Sequence, residues 1–165
     1  AAPVPGVVPP KFNPRAPENN QVVANFNYAN VEAVLNAIGA RHQRAGEPGK
    51  PAILVSFPNN RKAVLMFGSC NAEATACKAL SIQSYWTKIA NATPDQTAKA
   101  IEGFNQRYSF AKAFVAEDGR PALQRYLTAD YGFIRGNLAV NLLVFARQVE
   151  EFAVKVLAPL EAKRP

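Results

Sequence analysis

The chain has 165 residues, 48% of them hydrophobic and 19% charged, with a net charge of +7. That length suits one domain, and that balance supports a packed core, which excludes a disordered polypeptide. No apolar run approaches the roughly 20 residues that cross a bilayer. The longest, Leu138 to Phe145, is interrupted by Asn141 and reads as a buried helix.

Residues 1–20 hold six of the thirteen prolines. They read as an extended leader outside the core, so a single domain spans residues 21–165. The opening Ala-Ala-Pro-Val-Pro resembles what remains after a signal peptidase cuts behind small residues. Together with the cysteine usage it points to a periplasmic or secreted protein, although a chain trimmed at that position would begin the same way. Asn30 can cap a short helix in which Val31, Val34, Leu35 and Ile38 share one face, with Gly39 as its stop. Arg41 to Lys50 reads as a polar connection.

Three strands follow. Ala52 to Phe57 is nearly all apolar, as expected of a strand covered on both faces. Pro58 to Asn60 is a turn, Lys62 to Cys70 the second strand, and Ala79 to Thr87 the third. In the third, Leu80, Ile82 and Trp86 share one face. Short connections make these strands antiparallel neighbours. Thr93-Pro-Asp-Gln96 is a helix start with a capping box and proline at the first helical position. This helix runs to about Tyr108, with Ala98, Ile101, Phe104 or Asn105, and Tyr108 on its buried face. Ala111 to Ala116 and Ala122 to Thr128 flank Asp118-Gly119, a hairpin signal. The last helix spans about Ile134 to Leu157, its apolar residues stepping by four and three. The order α-β-β-β-α-β-β-α, with antiparallel strands, predicts an α+β sandwich of two layers with helices packed on the sheet.

That order resembles the YbjN family of bacterial proteins, whose fold is similar to that of the type III secretion chaperones. The matching features are the helix ending in Gly39, Gly49-Lys-Pro51 before a strand, and Cys70 and Cys77 around the second hairpin. Leu80-Ser-Ile-Gln-Ser-Tyr85, Phe104 to Phe114, the Glu117-Asp-Gly119 hairpin and the long last helix complete them. The resemblance implies a sensory-transduction regulator with a non-enzymatic, partner-binding role. It brings no catalytic residues, cofactor or metal.

The residues themselves offer little catalytic chemistry. There is no GxGxxG, Walker loop, HExxH or GxSxG. The single histidine, His42, lies between Arg41 and Arg44 in what reads as a solvated loop, and no two carboxylates pair convincingly. A non-catalytic module binding another protein or a peptide is the leading reading. Val140, Leu143, Val144 and Phe145 widen the apolar surface of the last helix, so they either fill the chain's own core or form a partner-binding or homodimer face. The alternative is a basic binder of nucleic acid or another acidic polymer through Arg41, Arg44, Lys50, Arg61 and Lys62, recognisable by salt-sensitive affinity. Scattered charge and a Trp86 directed at the core make nucleic acid the weaker partner.

Cys70 and Cys77 sit at the ends of two neighbouring strands. A disulfide is favoured over free thiols, and a metal site would lack ligands beyond His42. Closing so short a loop contributes roughly 2–3 kcal/mol. Unreduced protein in denaturant is therefore expected to show no thiol titratable by Ellman's reagent. Two titratable thiols would defeat the pairing.

Overall fold

The computed structural model describes residues 12–162. Most of the proline-rich leader, residues 1–11, and the last three residues lie outside the described residues. Residues 12–20 are not the extended leader the prolines suggested. Phe12 packs against the core, and Pro17–Asn20 form a 3-10 turn with proline at its start. This turn docks on the start of the last long helix. A Cβ on Gly136 there would stand 2.9 Å from the Cβ of Asn19, so glycine is what permits the approach.

Strand β1 (Val22–Val23) precedes helix α1 (Tyr28–Ala37). The side chain of Asn27 accepts the backbone N–H of Asn30 at 2.8 Å, so the cap lies three residues before the expected Asn30. Gly39, at φ +73, ends the helix as foreseen. The supposed polar connection is instead strand β2 (Arg41–Glu47), which a tight turn joins to β3 (Lys50–Ser56). It is polar on both faces because at the sheet edge its helix side meets Glu32 and Asn36 of α1 rather than the core, and its other side faces outward. Gly46, at φ +98, takes a position where a Cβ would come within 2.3 Å of the Lys50 carbonyl oxygen.

Strands β4 (Lys62–Cys70) and β5 (Cys77–Tyr85) form the next hairpin. Helix α2 (Pro94–Arg107) begins with the expected reciprocal Thr93–Gln96 capping box. Its buried residues are Thr97, Ile101 and Phe104; Ala98 lies one position off that stripe and is exposed. Strands β6 (Lys112–Val115) and β7 (Pro121–Thr128) form the Asp118-Gly119 hairpin, and β8 (Phe133–Ile134) pairs with β1. Helix α3 (Arg135–Phe152) continues through a π turn (Ala153–Leu157) into α4 (Ala158–Glu161). The wide turn fits Pro159, which cannot donate to the carbonyl four residues back and would crowd it.

The main sheet has six antiparallel strands in the order β2-β3-β4-β5-β7-β6. From β5 the chain passes through α2 to the far edge, β6, and returns as β7 to pair with β5. The architecture is the expected α+β sandwich, with β2 added at one edge. The inner face carries Ile53, Val55, Leu65, Phe67, Leu80, Ile82 and Leu123, all buried. Helix α3 covers it with Leu138, Leu142, Phe145, Val149 and Phe152. The Phe152 ring lies 5.0 Å from Trp86 and 5.1 Å from Phe104, tying α3 to α2 and to the end of β5.

The β6 edge is closed by a side chain. Asn105 of α2 donates to the Ala113 carbonyl and accepts the Ala113 N–H, both at 2.9 Å. It supplies the hydrogen bonds that a further strand would otherwise make. Replacing Asn105 with leucine should lower stability by about 1 kcal/mol, read as a lower urea midpoint at unchanged slope. Gln106→Leu, one position away, should stay within about 0.5 kcal/mol.

Candidate interaction surface

The period of two along each strand assigns every second residue to the side of the sheet away from the helices. The register then aligns those residues in rows across the strands. One row runs Gln43, Leu54, Val64, Gln83, Gln124 and Lys112. The next runs Ala45, Ala52, Met66, Ser81 and Tyr126. No element among the described residues covers this outer face. Leu54 is 50% exposed, Met66 47% and Tyr126 58%. Leu54, Val64 and Met66 are immediate neighbours on adjacent strands, so they form one apolar patch. The apolar run Ala52 to Phe57 is therefore covered on one face only, contrary to its sequence reading: Ile53 and Val55 are buried while Leu54 faces outward.

Charge gathers around the patch. Arg41 and Lys62 flank Ser56 in the row above Leu54, Lys112 ends the Leu54 row, and Lys50 lies on the same face. Lys112 sits 5.1 Å from the Phe114 ring centroid, and Arg120 lies 4.9 Å from that of Tyr85. Arg120 also holds Asp118 at 2.6 Å. The backbone N–H and the guanidinium of Arg120 both favour the ionised Asp118 carboxyl, which moves below its ordinary range.

The basic residues singled out in the sequence are thus divided between the two sides of the sheet. Arg44 turns to the helix side, paired with Glu32 of α1 at 2.5 Å and lying 4.6 Å from the Tyr28 ring centroid. Its hydrogen bond to Glu32 raises its pKa. Arg61 reaches Glu150 of α3, also at 2.5 Å, and that bond lowers the Glu150 pKa. Arg41, Lys50 and Lys62 form no ion pair among the described residues. The five residues do not make one patch.

The apolar candidates on α3 divide as well. Phe145 is fully buried, 6.5 Å from the Phe57 ring, and offers a partner nothing. Leu143 packs partly on the core, Val144 is half-buried, and Val140 is 50% exposed. One exposed valine is ordinary protein surface rather than an interface.

Cys70 and Cys77 are joined by a disulfide and face each other in the β4–β5 register. The Cys77 backbone N–H and carbonyl both bond to Phe26 at 2.8 Å. The cysteine pair is therefore a non-hydrogen-bonded one, the position where cross-strand side chains come closest. The Asn71 side chain orders the intervening loop by accepting the N–H groups of Thr75 and Ala76. His42 is not in a solvated loop. It lies on β2, with Nε2 2.8 Å from Asn36 Oδ1 and Nδ1 3.5 Å from Glu32. The aromatic rings do not gather into a platform for stacking bases: Tyr85 faces outward, Trp86 packs on Phe152, and Tyr108 closes α2 against Phe104. A shallow hollow of about 510 Å³ between α2 and β6 holds Glu102 among Ala98, Ile101, Asn105, Gln106 and Val115, a lining with no partner acid or base.

Sequence reading missed Leu54, Met66 and Tyr126 as surface residues. The parity of Leu54 against Ile53 and Val55, carried across the register to Met66, was the available signal.

No curated protein matches this chain. One family pattern does, that of YbjN, described as "Putative bacterial sensory transduction regulator", over residues 27–157. The match reaches from the Asn27 cap of α1 to the π turn after α3 and includes all six strands of the sheet, so the chain belongs to the YbjN family.

Proposed function

We propose that this YbjN-family chain is a non-catalytic regulator of the bacterial cell envelope that works by holding another protein or a peptide on the outer face of its sheet. The observation that carries this reading is the uncovered patch of Leu54, Val64 and Met66, with Tyr126 two strands away in the Met66 row. Apolar side chains gathered on one open surface of a monomer mark interaction sites. The sheet is also a rigid platform, so little ordering entropy opposes docking. The Cys70–Cys77 disulfide fits an oxidising compartment such as the periplasm. Pairing of two copies through α3 is set aside because Phe145 is spent in the core. A purely electrostatic binder of acidic polymers is set aside because Arg44 and Arg61 are held by Glu32 and Glu150.

A photo-crosslinking side chain tests the face directly. With Met66→benzoylphenylalanine, irradiation in an envelope extract is expected to give discrete protein adducts. The same group at Val154, equally exposed at 52% but on the helix layer, should give few or none. Equal labelling from the two positions, or none from position 66, would defeat the proposal.

A further inference from the structure

We infer that the outer face accepts an acidic, apolar polypeptide segment, held by its apolar side chains on Leu54, Val64 and Met66 and by its carboxylates on Arg41, Lys62 and Lys112. This rests on the docking face proposed above and goes further by assigning the chemistry of its occupant.

The charges on and around the face decide the sign. Arg41, Lys50, Lys62, Lys88, Lys112 and Arg120 stand against Glu47, Glu117 and Asp118, an excess of three positive charges. Asp118 is held by Arg120, and Glu47 stands opposite Lys50 in the register. Among the described residues those two form no ion pair, and nor do Arg41, Lys62 and Lys112. Arg41 and Lys62 are two strands apart, about 10 Å, while Lys112 lies at the opposite edge, about 24 Å from β2 by strand spacing. An extended segment of about seven residues spans that distance. It crosses the apolar patch between cations at its two ends.

The same charges argue against the other occupants. A second copy would bring two cationic faces together, on chains that each carry a net charge of +7. Single-stranded nucleic acid needs open aromatic faces on which bases stack. The rings of Tyr85 and Phe114 are attended by Arg120 and Lys112, which leaves Tyr126. The centre of the patch is aliphatic, with Met66 able to adapt its shape to different apolar partners.

The probe is a phage-displayed library of random twelve-residue peptides, selected on the full chain. Peptides that emerge should carry net negative charge and several large apolar residues. The dissociation constant of the best one should rise about tenfold with Lys62→Glu and about tenfold with Met66→Glu. It should stay within about twofold with Lys99→Glu on α2, since an exposed charge on the helix layer contributes little to a distant contact. If circular dichroism shows that Met66→Glu fails to fold, Leu54→Gln takes its place. Basic or neutral peptides that lose affinity with Met66→Glu but ignore Lys62→Glu overturn the charge assignment and leave the docking face standing. Failure of the library to yield any peptide sensitive to the residue 54 and 66 variants removes the face as well. Tight retention of oligo-dT, or concentration-dependent dimerisation abolished by Met66→Glu, assigns the face to nucleic acid or to a second copy and overturns the inference.

Discussion

Phe152 is the point on which the arrangement of layers depends. Near the end of α3 it meets Trp86, just past β5, and Phe104 of α2. One fully buried aromatic side chain thereby pins both long helices to the same side of the sheet. A buried ring of this size is worth several kcal/mol on truncation, more than any single exposed contact in the molecule. Its consequence is asymmetry. Because α2 must reach Phe152 on its way from β5 to β6, it cannot pass behind the sheet. The other helices follow through the core that α3 organises, and the outer face is left to solvent or to a partner.

That asymmetry has a cost which the chain manages at the edges but not in the middle. A bare sheet edge invites pairing with another chain. The β6 edge is occupied by the Asn105 side chain. The β2 edge carries arginine, histidine, glutamine and glutamate, residues poorly suited to stacking into an aggregate. Tyr28 tightens β2 further, its hydroxyl donating to the Ala45 carbonyl at 2.9 Å and accepting the Ala52 N–H at 3.3 Å. The centre of the outer face receives no such protection. Polar residues would satisfy an exposed sheet face equally well, as Gln43, Gln83 and Gln124 do in the Leu54 row. Leu54 and Val64 interrupt that otherwise polar row between Gln43 and Gln83, and Met66 extends the apolar surface into the next row.

How much of this was legible in the sequence follows from which signals are local. Capping is local, so Thr93 and Gln96 located the start of α2, and the Asp118-Gly119 turn located the β6–β7 hairpin. The long α3 announced itself by periodicity, and the two cysteines by their place at paired strand ends. Edge strand β2 was missed because periodicity reports burial, and a strand with no buried face has none to report. The Pro48-Gly49 pair between β2 and β3 was the remaining clue, a turn signal with proline and glycine in the order a tight reversal prefers. The second neighbour of β5 could not be read. That β7 rather than β6 takes that place is a long-range choice with no local signal, since the crossover through α2 could deliver either strand of the following hairpin.

The candidate surface was hidden for a related reason. The run Ala52 to Phe57 is apolar at nearly every position, and such runs usually mean burial on both faces. Here the run is apolar twice over for different purposes: Ile53 and Val55 feed the core, and Leu54 feeds the surface. The basic residues misled in the opposite direction. Arg41, Arg44, Lys50, Arg61 and Lys62 looked like one cluster because they are close in sequence, yet pleating sends successive residues to opposite sides. Arg44 and Arg61 fasten the helix layer through Glu32 and Glu150, while Arg41 and Lys62 border the apolar patch. A single stretch of charge thus serves two ends, cross-linking the layers on one side of the sheet and setting the electrostatic sign of the other. The positive sign of the open face is therefore best read from the cations left over after the layer contacts have taken theirs, not from the net charge of the chain.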